Sequence, residues 1–555
     1  MIFDPNGLPS MNEIWGWHDT LRQMGTRYTG SPGHVRFIDW LKGEFTAIPG
    51  GFGQPLVERI VFQQWLANSW SLSIQQNPNA AAQPLEVSYF YPYSGYTGLQ
   101  GINGRLVDLG DYKAGWHAPQ FWEPAKGAIA LVRVPPSTFS LDIGQLPTDA
   151  FEPKQASLET VIRYELQCGV VTNPVFQGMF APVPLLEAKK AGVLGVICVW
   201  TGMSDDLVAN QYNPITTGYP NTSGLPEKND PGCPALWVGD GTGQQLALAC
   251  KTGKPTVTLT LDATITNDAV TETIWGMLPG ADPNAEALIL NTHTDGPSVP
   301  EENGALGLLA LAKYFAGRQR RRNLYFVMVT GHFALSQFLQ PIPDGRFVAG
   351  NDATSLWMAQ YPHIYRNALA GLTLEHLGCT TWGDDEHGKY GATGTLEWST
   401  TYTTQREDSL SLSNLEQQAY MAAVAATNSS GATAHPVITM LPAPLFFGEG
   451  APLYAGGLGT VSLCPVPSYL LQAGSRAKPG QLNQLNMDKL DPRLIYGQIQ
   501  SFARTIGTLD EAETAAFLRR AGVAAGVFPP GVNDASRDRT PCGCGNARPA
   551  KFLTL

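Results

Sequence analysis

Three apolar runs in this 555-residue chain each end in a histidine or a carboxylate. Leu290-Asn291-Thr292 leads into His293-Thr294-Asp295-Gly296, with Glu301-Glu302-Asn303-Gly304-Ala305 a few residues further on. Residues 324–329 lead into Thr330-Gly331-His332-Phe333, and residues 371–374 into Glu375-His376-Leu377-Gly378. On a strand, residues two apart share a face, so His293 and Asp295 emerge together. One can then ligate a metal ion while the other fixes that ligand's orientation. Imidazole and carboxylate are zinc-type ligands and also the usual proton-transfer groups. Each motif alone has a plain structural reading: Glu302 as a cap near the positive end of a helix, His332 as an ordinary strand-end histidine. Three at successive strand ends carry more weight, because parallel strands deliver their carboxyl ends to one edge of a sheet.

The elements needed to position these residues are legible. Residues 266–510 alternate apolar strand candidates (287–291, 324–329, 371–374, 460–463) with helix candidates (304–318, 411–427, 492–506). The last helix opens with Asp491-Pro492, a cap residue and a proline at the first helical position. Its Ile495, Ile499, Phe502 and Ile506 recur at helical spacing. This pattern predicts an α/β fold with a mostly parallel mixed sheet flanked by helices. Ahead of it, residues 121–265 carry short strands (127–134, 195–200, 234–238, 256–261) and a helix (184–191), which predicts a small β-rich unit. Residues 1–120 form an N-terminal part with a turn at Gly30-Ser31-Pro32-Gly33 leading into a helix. Residues 511–555 form a short helix and a tail rich in proline and glycine.

A net charge of −11 argues against nucleic acid or an anionic membrane surface as partner. No run approaches the ~18 apolar residues of a membrane span. The first residues show no basic stretch followed by an apolar core, so the cytoplasm is the expected compartment, or an extracytoplasmic one if a leader has been removed. Eight cysteines in so long a chain do not make a disulfide scaffold. Cys198 and Cys464 read as buried apolar residues, and Cys542-Gly543-Cys544 as part of the tail.

These residues resemble the zinc aminopeptidase and glutamate-carboxypeptidase family of di-zinc exopeptidases across most of residues 20–510. Arg27-Tyr28-Thr29-Gly30-Ser31-Pro32-Gly33 is similar to the family's opening motif. Residues 127–134 and 184–200 resemble its protease-associated insertion. His293-Thr294-Asp295 is similar to its His-x-Asp, Glu302-Asn303 to the segment with the metal-bridging carboxylate, and Glu375 to a ligand of the first metal. The resemblance implies a zinc-exopeptidase-like fold with an inserted β-rich protease-associated domain, which would cover the site or a dimer face. It also implies His293, Glu302 and Glu375 as metal ligands.

Two departures fall on the second metal. His332-Phe333 stands where the family has Glu-Glu, a general base and a ligand, and phenylalanine cannot coordinate. Residues 467–472 contain no histidine where the family has its last ligand, and Gln472 takes that place. The expectation is a hydrolase of an amide or ester bond in a peptide-like or small substrate, with one divalent ion, zinc by type. His332 would be the base, Asp295 would orient His293, and Glu449 with Gln472 would face the substrate. His332 as a ligand is the alternative. Two other functions stay open on this fold: a non-catalytic scaffold of transferrin-receptor type, and a cyclising acyl transfer.

Overall fold

Serine hydroxyls start the first two long helices. Ser10 accepts from the Glu13 amide to open α1 (Met11–Gln23), and Ser31 accepts from the His34 amide to open α2 (Pro32–Thr46). The computed structural model describes residues 3–111, 115–134, 148–151, 183–211, 231–333, 353–396, 399–403, 415–429, 437–440, 448–455, 458–474 and 483–512. Cys168, His435, Cys542, Cys544 and the tail from residue 513 lie outside them.

After α2 comes β1 (Leu56–Gln75), then β2 (Gly98–Asp111), β3 (Ile129–Val134), β4 (Gly195–Trp200) and β5 (Ala235–Gly239), followed by α3 (Asp240–Thr252) and β6 (Thr256–Leu278). β1 and β6 pair antiparallel along nearly their whole length, with irregularities at Phe62/Gln64 and Ala67/Ser69. β3, β4 and β5 lie side by side in parallel, and β2 joins them to β6. Every side chain of β4 and β5 is buried, which is why both read as unbroken apolar runs. One face of these strands packs on a tryptophan-rich cluster in which Trp200 and Trp237 stack with centroids 4.0 Å apart. Strands of the 121–265 region thus continue the same sheet, and residue 265 falls inside β6.

Beyond β6 the chain forms β7 (Ala287–His293), α4 (Gly304–Phe315), β8 (Leu324–Val329), β9 (Ala368–Leu374), α5 (Leu415–Ser429), β10 (Gly459–Leu463) and α6 (Pro492–Glu511). The sheet runs β6-β8-β7-β9-β10, antiparallel only at β6. Alternation along the strands divides two cores. Leu288, Leu290, Phe326 and Met328 join the cluster under α1, α2, α4 and α6. Ile289, Val327 and Val329 join the other, with Trp275, Trp357 and Tyr365. α4 is buried almost all round, as its composition requires. α6 buries the expected Ile495, Ile499, Phe502 and Ile506, and Phe502 meets Tyr420 of α5 at 5.3 Å.

The predicted α/β architecture is therefore present: a mixed sheet with a parallel centre, helices on both faces. The strand predicted at 256–261 is only the start of β6, and its partner β1 was not predicted at all. No helix among the described residues is long and apolar enough to cross a membrane.

Candidate metal centre

β7, β8 and β9 point the same way, so their carboxyl ends bring His293, residues 331–333 and residues 375–378 to one edge. Asp295 fastens this edge. Its carboxylate accepts from the amides of Gly331 (3.1 Å), His332 (3.3 Å) and Phe333 (3.0 Å), and from the Thr29 hydroxyl. It is the backbone carbonyl of Asp295 that meets His293, 2.9 Å from Nδ1. Asp295 therefore orients His293 through its main chain and holds the His332 turn through its side chain.

A second imidazole is held in the same manner. His376 sits in the left-handed region at φ 55°, and its Nδ1 lies 2.6 Å from the Pro465 carbonyl. In each neutral ring, an Nδ1 proton given to a carbonyl leaves the lone pair on Nε2. Both Nε2 atoms are buried without a hydrogen-bond partner, as is Oε2 of Glu301, which lies 3.5 Å from His376 Nε2. These three ligand atoms fall within 4.8 Å of one another. An unsatisfied buried polar atom costs about 1–3 kcal/mol, a cost that one ligand shared by all three would remove. Two imidazole nitrogens and a carboxylate suit one zinc ion with an open position.

Glu302 is engaged elsewhere. Its oxygens meet Arg27 Nε at 3.1 Å and Nη2 at 2.9 Å, and neither side chain is exposed. Glu375 lies at the edge of the cluster, 3.9 Å from His376 Nε2, but both its oxygens are taken. Oε1 accepts from the Glu449 amide at 2.6 Å and Oε2 from the Cys464 thiol at 3.3 Å. Gly448 permits this approach, because a Cβ there would lie 2.5 Å from Glu375 Oε2.

The His332 ring stacks on His293 with centroids 4.2 Å apart and planes 12° from parallel. Its Nδ1 is 2.8 Å from Glu449 Oε1, and its Nε2 faces Glu301 Oε1 at 4.0 Å. Glu449 Oε2 accepts from the Thr354 hydroxyl at 2.6 Å, and the Glu449 carbonyl from Asn291 at 2.9 Å. Phe333 packs away in the apolar cluster with Trp65, Tyr93 and Leu470. Gln472 belongs to a different polar group: it donates to the Asp206 carbonyl at 2.9 Å and accepts from Lys489 at 2.9 Å.

The structure thus gathers His293, His332, Glu375, Glu449 and Asp295, adds Glu301 and His376, and sets Glu302 and Gln472 apart. Burial, helped by the neighbouring His332 and His376, pushes the His293 imidazolium well below its ordinary value, so the ring is neutral and able to ligate. For His332, burial works against the charge, but Glu449, with Glu301 and Glu375, outweighs it and raises the ring to about 10. In His376 burial is likewise outweighed, by Glu301 and Glu375, and the shift is upward. Burial raises the Glu375 carboxyl. Asp295, Glu301, Glu375 and Glu449 are buried together, and such a group of carboxylates favours a bound cation.

No family model matches the chain, and no curated protein matches its sequence. Solved structures do. A peptidase M28 precursor from Shewanella amazonensis superposes with a TM-score of 0.54 at 13% identity, over 94% of this chain and 100% of the other. A zinc aminopeptidase from Bacillus subtilis gives 0.54 at 11%, over 92% and 98%. The fold is that of the zinc aminopeptidases. An aminopeptidase from Aneurinibacillus sp. strain AM-1 gives 0.52 at 12%, over 91% and 95%. The strand-edge cluster described above accordingly sits on a zinc-aminopeptidase fold.

Proposed function

We propose that the chain is a metal-dependent hydrolase of amide or ester bonds in peptide-like substrates, using a single divalent ion, zinc by its ligands. His293 Nε2, Glu301 and His376 Nε2 would hold the ion. The observation that carries the reading is the convergence of these three buried, unpartnered atoms at the carboxyl edge of a zinc-aminopeptidase-like sheet. When bound, such an ion supplies Lewis acidity toward a carbonyl and lowers the pKa of water.

The protein's own groups do the rest. The Asp295 and Pro465 carbonyls keep both ligand rings in one tautomer. Glu449 clamps His332 so that its Nε2 faces the cluster. Held with its Nε2 toward the cluster, His332 is placed for proton transfer there, as base toward a water or acid toward the leaving atom.

Metal content measured by plasma mass spectrometry on untagged protein tests the assignment. One equivalent in the wild type, lost in His293→Ala and His376→Ala, is the expected result. A content of zero that persists after zinc, manganese and cobalt are offered overturns it and leaves the non-catalytic scaffold.

A further inference from the structure

We infer that the His332 ring, clamped by Glu449, fills the second-cation position of this centre, so that Glu301 faces one metal ion and one imidazole. The inference rests on the metal-binding reading above and says what limits the centre to a single ion.

The two oxygens of Glu301 face different neighbours. Oε2 lies within 4.8 Å of the His293 and His376 ligand atoms, and Oε1 faces His332 Nε2 at 4.0 Å. On that second side the space is taken by a ring lying flat on His293 at 4.2 Å, which leaves no room for an ion between the two imidazoles. Carboxylates that could ligate a second ion are already committed. Glu449 gives Oε1 to His332 and Oε2 to Thr354, and Glu375 gives its oxygens to the Glu449 amide and the Cys464 thiol.

Among the described residues the only other ligand-type group is Glu375, His376 and Cys464. It shares His376 with the first group, and the Nδ1 of that ring is held by Pro465. Phe333 offers no ligand atom, and its ring is buried among apolar residues. The ring takes that side by its bulk: Nε2 stops 4.0 Å from Glu301 Oε1, beyond a hydrogen bond, and Nδ1 is committed to Glu449. Asp295, which fixes the 331–333 turn through its three amides, sets where that ring stands.

Metal stoichiometry after equilibrium dialysis against excess zinc or manganese tests this, with a wild-type control. His332→Glu removes the ring, frees the Glu449 and Glu301 oxygens and adds a carboxylate beside them. It should bind two equivalents where the wild type binds one, with a higher melting temperature in excess metal than at one equivalent. His332→Gln, which keeps a donor toward Glu449, should stay at one. One equivalent in both the wild type and a folded His332→Glu protein overturns this inference while leaving the first-ion site standing. Two equivalents in the wild type overturn it as well. A wild type that binds none removes the metal-binding reading and this inference with it. If His332→Glu fails to fold, His332→Ala, which vacates the space without adding charge, is titrated with manganese in its place. A second equivalent there supports the inference and its absence overturns it.

Discussion

His376 Nε2 lies 3.5 Å from Glu301 Oε2, while the far side of the same ring is held by the Pro465 carbonyl at 2.6 Å. A ring fixed on one side with its other nitrogen beside a carboxylate is set up for the ligand role proposed above. His376→Ala should weaken zinc by more than the ~10–100-fold that loss of an outer hydrogen-bond partner costs. Competition with a chromophoric chelator measures this. Binding within threefold of the wild type would exclude His376 as a ligand.

Arg27 and Glu302 make the opposite case, a buried pair that faces no open space. Removing one partner leaves a buried charge uncompensated, at a cost of about 3–5 kcal/mol. Arg27→Leu should therefore lower the urea midpoint sharply. Arg27→Leu with Glu302→Leu should recover a large part of that loss. The double variant should also keep its metal, while Glu301→Gln loses it. Metal lost from a folded double variant would place Glu302 back among the ligands.

His18 gives the fold an acid sensitivity outside the proposed metal site. The ring is fully buried, with Nδ1 2.8 Å from the Ile14 carbonyl, and burial lowers its imidazolium from 6.5 to about 4. The folded pKa lies below the unfolded one, so between these values the unfolded chain binds the extra proton. Stability contributed by this residue falls as pH drops from about 6.5 toward 4, by roughly 3 kcal/mol in all. His18→Leu should gain on the wild type by that margin across the window and show no further relative gain above pH 7. Denaturant titrations of both proteins at several pH values would show it. Parallel curves would mean that His18 is not the sensitive group.

The strand ends and the segments that follow them were readable in the sequence because apolar runs and the residues after them are local signals. His293, His332, Glu375 and Glu449 do meet, for that reason. Which member of an adjacent pair faces the site was not readable. Glu301 is free for a ligand because Arg27, 275 positions earlier, takes Glu302. His376 turns inward because its backbone is left-handed, a conformation with no local marker in Glu375-His376-Leu377. β1 was missed for another reason. It exposes polar residues along a two-stranded ribbon, so no clean apolar alternation marks it. Gln472 was matched to a lost ligand by position alone, and its hydrogen bonds run to Asp206 and Lys489.

Gly448 links Glu375, at the edge of the proposed metal site, to His332 through the backbone. It has φ 75°, and its missing Cβ is what lets the Glu375 carboxylate reach the Glu449 amide at 2.6 Å. An alanine there must adopt a left-handed conformation, at about 1–2 kcal/mol, and must also push the carboxylate aside. The Glu449 amide then moves, and with it the oxygen that clamps His332. None of the three proposed ligand atoms is carried by this loop, so Gly448→Ala should keep one equivalent of metal and lose only a small part of its stability. Turnover of any amide or ester that the wild type cleaves should fall far more, since a displacement of about 1 Å at a reacting group costs on the order of 10²-fold. Metal content and kcat measured on one preparation separate the two effects. Unchanged kcat would show that the Glu449–His332 contact has no part in the reaction, and lost metal would show that this loop supports the ligands themselves.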